Sequence, residues 1–192
     1  DRMARVRKEY VETIKIPRDK GLDLMYAYPC GGAIKIDGNT GDKAWRMPDK
    51  KRDFYNNKNG RPVAEKVAFR MRYTDKDLLL CWDIADVQAG KSAARSKRDY
   101  IEFFIDADND KHTYSWLYVD TAGKVIAHHY PGGPPEPHDL WKHGADIAVK
   151  VKDTSWHVEV RLPRKSCGLS GDLTGKTAGA MACVTRRKYA HK

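Results

Sequence analysis

Apolar and polar residues alternate at every second position through much of this chain, and this alternation constrains the fold more than any other feature. It is clearest in residues 98–110, R-D-Y-I-E-F-F-I-D-A-D-N-D, where Ile101, Phe103 and Ile105 alternate with polar and aromatic residues, among them Glu102. Successive side chains of a β-strand point to opposite faces of the sheet. The stretch therefore predicts a strand that buries one face in a hydrophobic core and presents a carboxylate beside aromatic rings on the other.

The same period of two returns along the chain, in residues 67–73, 113–120, 146–152 and 156–163. No long segment shows the 3.6-residue period of an amphipathic helix. The run P-G-G-P-P-E-P at 131–137 excludes regular structure there, because proline lacks a backbone N–H and fixes its own φ. Many short strands without intervening helices predict an all-β fold, an antiparallel β-sandwich of the jelly-roll or immunoglobulin-like kind.

Each strand motif has an apolar side, and these apolar sides predict the core. We expect six residues to be largely buried: Trp45, Phe69, Trp82, Phe103, Trp156 and Val158.

Length and hydropathy limit the organisation of the chain. Its 192 residues, 41% of them hydrophobic, can form one sizeable core. We expect a sandwich domain over residues 31–192, preceded in residues 1–30 by an N-terminal extension or by edge strands. No apolar run approaches the roughly 18 residues of a membrane-spanning helix. The first residues lack the apolar segment of a signal peptide, as a processed secreted chain also would.

The charge balance favours an acidic partner. Lys and Arg number 36 against 26 Asp and Glu, a formal net charge of +10. Such an excess fits an anionic polysaccharide, a nucleic acid or a membrane surface, or simply a soluble surface with a basic bias. The basic residues are scattered and accompany no nucleic-acid-binding motif, so we expect no nucleic-acid partner. The four cysteines lack the paired spacing of a zinc site, and their pairing is left open.

An acidic cluster follows the central strand. Asp106, Asp108 and Asp110 place carboxylates at alternate positions, where their oxygens can converge on a hard cation such as calcium. Asp and Asn also form turns without any ion, because their side chains hydrogen-bond the nearby backbone. The sequence is compatible with a structural calcium site and with a plain turn.

Four stretches of the chain, taken in order, resemble the motifs of one known family. They are I-K-I-D-G-N-T-G-D-K-A-W at 34–45, R-Y-T-D-K-D-L-L-L-C-W-D-I-A-D at 72–86, R-D-Y-I-E-F-F-I-D at 98–106 and S-W-H-V-E-V-R-L-P at 155–163. The order and content are similar to those of family 9 carbohydrate-binding modules and their wider relatives. The resemblance covers about residues 34 to 188.

This resemblance implies a small, non-catalytic β-sandwich that binds a polysaccharide or oligosaccharide and accompanies a glycan-degrading enzyme. It also implies a secreted protein, extracellular or periplasmic, with other domains in a larger chain. Glu102 matches the carboxylate that contacts sugar in the family. The run Ser96-Lys97-Arg98 stands where sugar-binding members carry a stacking tryptophan, and Ser115 and Leu117 stand where they carry polar residues.

These residues define a hypothesis for the ligand site. Glu102, Trp141 and the basic pair Lys97 and Arg98 are the predicted ligand-binding residues. Trp141 follows the proline-rich loop, where an aromatic ring can be exposed for stacking on a sugar or can pack as a lid on the sandwich edge. Replacing a ring by two cations favours an acidic glycan over neutral cellulose or xylan, since cations form charge-assisted hydrogen bonds with carboxylates and sulfates.

The sequence leaves three other functions open. Glu102 and Glu159 could form the acid–base pair of a glycosidase, but a separate structural role for each is the expectation, and no nucleophile motif or Gly-rich phosphate loop occurs. Related sandwiches bind haem through Met or His, which Met71 and the loop histidines could supply. A purely structural domain of a larger assembly is the third alternative.

Overall fold

The structure, a computed structural model, describes residues 25, 27–46, 50–56, 59–63, 66–86, 99–132, 139–173 and 176–186. The strands in these ranges form two five-stranded sheets. The first sheet has the strand order β1-β2-β3-β9-β8, where β1 is Tyr28–Pro29, β2 Val67–Tyr73, β3 Asp77–Ala85, β9 Ser155–Pro163 and β8 Asp146–Lys152. The second sheet has the order β10-β4-β5-β6-β7, where β10 is Gly179–Thr185, β4 Tyr100–Asp106, β5 Tyr114–Asp120, β6 Val125–Tyr130 and β7 Asp139–Leu140.

All neighbouring strands are antiparallel except β1 and β2, which pair in parallel. The only helices in the described residues are 3₁₀ turns, Lys43–Trp45 and Arg164–Cys167, and neither could cross a membrane. This confirms the predicted all-β antiparallel sandwich. Within residues 1–30, β1 forms an edge of the first sheet, while residues 1–24 lie outside the described part of the chain.

The inner faces of the two sheets pack together into the main core. Phe69 and Trp82 of the first sheet lie 4.6 Å apart, and Trp82 meets Phe103 of the second sheet edge-on at 6.1 Å. All six residues predicted to be buried are at most 4% exposed, which confirms that expectation. Trp45 differs from the other five because it belongs to a separate cluster, with Ile34, Leu79 and Cys81, outside the first sheet.

This separate cluster exists because residues 34–45 cross the outer face of the first sheet. The attachment point is Glu159, which is 0% exposed. Its Oε2 accepts hydrogen bonds from the backbone N–H groups of Asp37, at 3.0 Å, and Gly38, at 2.6 Å, while its Oε1 accepts one from the Trp45 indole at 2.6 Å. A buried carboxylate is tolerated when hydrogen bonds replace its lost water. Glu159 is thus structural, as expected from the sequence.

Gly38 is required by the same attachment. Its φ is +79°, and a Cβ placed on it would lie 2.7 Å from Cβ of Lys150, closer than such atoms approach. The turn at Asp37 and Gly38 therefore forms one structural unit with Glu159 of β9, although Gly38 and Glu159 are 121 residues apart in the sequence.

A second polar group lies on the same outer face. Arg70 is 3% exposed and contacts both Sγ of Cys81, at 3.0 Å, and the carboxylate of Asp83. The other oxygen of Asp83 is hydrogen-bonded to Nδ1 of His157 at 2.9 Å. Arg70 is therefore part of the packed structure, and it does not contribute to a solvated basic patch.

Removing the charge of Glu159 should destabilise the fold. In Glu159→Gln the side-chain amide keeps one acceptor but turns an N–H group toward donors that are already buried. We expect the free energy of unfolding to fall by about 2 to 3 kcal/mol, since a buried hydrogen bond to a charged group contributes on that order. Urea unfolding followed by tryptophan fluorescence measures this loss. Asp53→Asn is the control, because its exposed pairing with Lys51 at 3.8 Å should contribute little; equal losses in the two variants would contradict the assigned role.

Candidate functional site

Glu102 lies on the outer face of the second sheet. Its neighbours in β4, Ile101 and Phe103, are 0% and 1% exposed on the inner face, so alternation directs Glu102 outward. The strand register places it between Cys183 of β10 and Tyr118 of β5. Glu102 is half-buried. The predicted ligand-binding carboxylate is thus at the centre of a strand, flanked on both sides by other strands.

Aromatic side chains surround Glu102 on this face. Six of them, each at most 9% exposed, form one cluster: Tyr100, Phe104, Tyr114, Trp116, Tyr118 and Tyr130. We call these six residues together with Glu102 the aromatic face.

The rings of the aromatic face pack in pairs. Tyr100 and Tyr118 lie 4.6 Å apart across adjacent strands, and Tyr114 stacks on Tyr130 at 5.2 Å. Trp116 stacks almost parallel to the imidazole of His128, at 5.5 Å and 12°. Cross-strand aromatic contacts of this kind stabilise a sheet and hold each ring in one orientation. The face therefore holds closely packed, buried rings in fixed orientations around a single central carboxylate.

β5, the strand next to Glu102, presents aromatic side chains beside it. In the family, polar residues stand at the positions of Ser115 and Leu117 on this strand. Ser115 and Leu117 alternate with the aromatic residues of β5, so both point to the inner side. Leu117 is 0% exposed in the core, and Ser115 is bonded to Nδ1 of His129 at 3.1 Å. Trp116 and Tyr118 are therefore the β5 side chains that a ligand beside Glu102 would meet. The alternation of T-Y-S-W-L-Y-V-D groups the aromatics, but only the β4–β5 register shows that they share a face with Glu102.

The structure does not bring Trp141 to Glu102. The backbone N–H of Trp141 donates to Ala127, whose side chain is on the inner face of the second sheet. Trp141 is 9% exposed, packs against the main core and donates its indole N–H to the carbonyl of Ser166 at 2.6 Å. It is the lid on the sandwich edge, the alternative to an exposed stacking ring. The reason is that its indole finds both an apolar surface and a hydrogen-bond acceptor there.

Lys97 and Arg98, the two cations of the predicted site, lie outside the described residues. The described chain resumes at Asp99, which is 5% exposed and accepts a hydrogen bond from the N–H of Thr121 at its carbonyl. The run Ser96-Lys97-Arg98 thus leads directly into the strand that carries Glu102.

The acidic loop forms a tight turn at the end of β4. Both oxygens of Asp106 accept backbone N–H groups, from Asp110 at 3.2 Å and from Lys111 at 2.8 Å. Asp110 accepts the N–H groups of His112 and Thr113, each at 2.7 Å. These bonds give Asp106 and Asp110 the role of turn formers.

The same three carboxylates could also bind a metal ion. Asp106, Asp108 and Asp110 each have an oxygen within 4.8 Å of the others. Burial raises the pKa of Asp106, the N–H of Lys111 opposes that rise, and a hydrogen bond with Asp108 adds to it. The N–H groups of Thr113 and His112 lower the pKa of Asp110. Three carboxylate oxygens this close repel one another, and the charge of a hard cation would offset that repulsion.

Three of the side chains that could ligate haem, Met71, His128 and His129, lie apart in the described structure. Met71 lies in β2 on the same side as Phe69 and packs against the main core. His128 is stacked on Trp116, and its neighbour His129 points to the opposite face of the sheet. These side chains do not converge on one cavity.

A glycosidase pair formed by Glu102 and Glu159 is also unsupported. The two residues are on different sheets, and both oxygens of Glu159 accept hydrogen bonds within the protein. Glu159 is 0% exposed and cannot reach a glycosidic bond.

Comparisons with known proteins agree with this architecture. The family model described as "Carbohydrate family 9 binding domain-like" matches residues 36–188. Among solved structures, the chain is similar to a family 9 carbohydrate binding module from Caldicellulosiruptor kristjanssonii in complex with cellotriose, with 17% sequence identity, a TM-score of 0.61 and coverage of 83% of this chain and 75% of that chain.

A family 9 module from the same organism in complex with glucose is also similar, with 16% identity, a TM-score of 0.52 and coverage of 73% of this chain and 68% of that chain. No curated protein matches the chain significantly in sequence. At these identities the similarity to the solved structures establishes a shared fold.

We propose that Asp106, Asp108 and Asp110 bind one structural calcium ion. A saturating ion should stabilise the folded state by about 2.7 kcal/mol at a hundredfold excess over Kd. For a domain of this size that corresponds to a rise in melting temperature of roughly 5 to 10 °C. Thermal melts with calcium and with a chelator measure the shift. Asp108→Asn is the matched variant, because Asn preserves the turn but removes one charged ligand; a melting temperature insensitive to calcium in both proteins would leave the loop as a plain turn.

Proposed function

The chain belongs to the carbohydrate family 9 binding domain-like family, and from this membership we propose that it is a non-catalytic module that binds a polysaccharide or oligosaccharide. The observation that carries the proposal is the position of Glu102 at the centre of the aromatic face. A carboxylate accepts hydrogen bonds from sugar hydroxyls, while aromatic surfaces contact the apolar C–H groups of a sugar ring. The two solved relatives are complexes with cellotriose and with glucose.

The rigidity of the aromatic face supports recognition. Its rings are held by contacts with each other, as in the Tyr100–Tyr118 and Tyr114–Tyr130 pairs. A ligand that binds beside Glu102 would order few additional side chains, and affinity is greater when this entropic cost is small. Each ring is at most 9% exposed, and the half-buried carboxylate of Glu102 is therefore the group on this face that we propose the ligand contacts.

The residues preceding β4 suggest which glycan is preferred. Lys97 and Arg98 occupy the position of a stacking ring in sugar-binding members of the family, and the chain as a whole carries a formal net charge of +10. Cations bind carboxylate or sulfate groups through charge-assisted hydrogen bonds. We therefore propose a preference for acidic glycans over neutral cellulose or xylan.

The proposed context is a secreted, extracellular or periplasmic protein in which this module directs a glycan-degrading enzyme domain to its substrate. This assignment is an extension of family membership. Zymography of the natural full-length protein, with and without residues 31–192, would test it.

Neutralising Glu102 should weaken glycan binding. Glu102→Gln removes a charged acceptor but preserves the shape of the side chain, so we expect affinity to fall about tenfold or more, the equivalent of one hydrogen bond to a charged group. The measurement is isothermal titration calorimetry with the best ligands from a glycan panel. Asp53→Asn, an exposed change in the loop that precedes β2, is the control; unchanged affinity in Glu102→Gln would place recognition away from the aromatic face.

Removing the two cations should affect acidic glycans alone. In a Lys97→Ala, Arg98→Ala double variant, we expect weaker binding of acidic oligosaccharides, smaller dependence of Kd on salt, and unchanged binding of neutral ones. Exposed charges are screened beyond a Debye length of about 8 Å at physiological ionic strength, so wild-type affinity should fall as salt rises. Lys142→Ala, Lys165→Ala is the charge-matched control. Equal affinities of the two double variants, or binding of neutral sugars only, would refute the acidic preference.

A further inference from the structure

A cleft of about 270 Å³ lies on the outer side of the first sheet, on the opposite side of the sandwich from the aromatic face. Its lining includes Gly32, Ile34, Thr74, Asp77, Leu79 and Arg161. Residues 32–34 pass over the sheet and form one wall, while the turn between β2 and β3 forms the other. Leu79, only 2% exposed, is the apolar floor. The cleft thus arises where two distant segments of the chain meet.

Hydrogen bonds from Arg164 hold the β2–β3 turn that forms one wall of the cleft. Arg164, 5% exposed, donates from Nη1 to the carbonyls of Thr74 at 2.9 Å and Asp75 at 3.1 Å. Its backbone N–H donates to the carbonyl of Lys76 at 2.8 Å. The buried guanidinium and the backbone N–H of Arg164 therefore hold three successive carbonyls of the turn that supplies Thr74 and Asp77.

The segment that forms the opposite wall is held by a hydrogen bond at each end. The N–H of Cys30 donates to the carbonyl of Tyr73 at 2.7 Å, and Nη2 of Arg161 donates to the carbonyl of Ile34. Arg161 is itself oriented by Asp146, whose Oδ2 accepts from Nη1 at 3.0 Å. Between these attachments the chain leaves room, because a Cβ built on Gly32 would meet no atom within 4 Å.

The polar groups of the cleft are not satisfied by each other. The carboxylate of Asp77 has no hydrogen-bond or ionic partner among the described residues. The hydroxyl of Thr74 accepts the N–H groups of Lys76 at 3.2 Å and Asp77 at 2.9 Å, so its own hydrogen is available to donate. The guanidinium of Arg161 retains N–H donors beyond the two that are used. Acceptors and donors in a fixed frame are thus available above an apolar floor.

We infer that this cleft is a second binding site, specific for one neutral saccharide unit with adjacent hydroxyl groups. A carboxylate accepts from two neighbouring hydroxyls, a guanidinium and a hydroxyl donate to ring or hydroxyl oxygens, and Leu79 contacts the C–H side of the ring. The volume is below the roughly 300 Å³ at which sites for drug-sized ligands begin, which suits a single ring. An anionic unit is disfavoured, because Asp146 already pairs with Arg161 while the Asp77 carboxylate has no cation.

Amide chemical shifts in a titration with glucose test this site separately from the aromatic face. In the wild-type chain, we expect saturable shifts at Gly32, Thr74 and Asp77. Asp77→Asn should weaken binding at these amides tenfold or more. Gly32→Leu, which the open space and an ordinary φ should allow without disturbing the fold, should abolish it by filling the cleft.

The outcomes separate the two proposals. Shifts at the cleft amides should persist in Glu102→Gln, which addresses the aromatic face alone. In a second titration with an acidic oligosaccharide, the ligand proposed for the aromatic face, shifts near Trp116 and Tyr118 should persist in Asp77→Asn. Absence of saturable shifts at the cleft in the wild type would overturn the inference. So would equal affinity of the cleft in the wild type, Asp77→Asn and a folded Gly32→Leu, whatever happens at the aromatic face.

Discussion

The three hydrogen bonds accepted by Glu159 attach residues 34–45 to the outer face of the first sheet. A carboxylate with no exposed surface is costly unless donors replace its solvent, and here two backbone N–H groups and one indole do so. Because these donors come from residues 37–45, the carboxylate determines where that segment lies. Trp45 and Ile34 are buried as a consequence, and Ile34 in turn forms part of the cleft wall. One side chain on β9 thereby organises a layer outside the two sheets.

The sequence was sufficient to predict the strands and the core, because alternation is a local property. Phe69, Trp82 and Phe103 follow from their position on the apolar side of a strand. It could not assign Trp45 to a separate cluster, since this depends on a partner more than a hundred residues away. The environment of Trp141 was also beyond reach, because exposure after a proline-rich loop depends on whether an acceptor such as the Ser166 carbonyl happens to be near.

The candidate sites show the same limit. The family resemblance singles out Glu102, and the alternation in residues 113–120 is enough to place Tyr114, Trp116 and Tyr118 on one face of β5. Their meeting with Glu102 depends on the register between two strands, which the sequence does not encode locally. In the sequence, Asp77 is an ordinary turn residue. It lines a cleft only because residues 32–34 pass close to it in the structure. The two outer faces consequently differ in chemistry, one aromatic and the other polar with an aliphatic floor.

The pairing of β3 with β9 has a consequence for the synthesis of the chain. β3, residues 77–85, is central in the first sheet and pairs with β2 on one edge. Its other edge pairs with β9, residues 155–163, which is synthesised later. A ribosome that has released the β2–β3 hairpin has still to make some seventy residues, at about 5 to 20 residues per second, before that partner emerges. During those seconds Leu78, Leu80 and Trp82 lie on a hairpin with one open edge. A nascent chain of this topology is thus most vulnerable to intermolecular strand pairing midway through its translation.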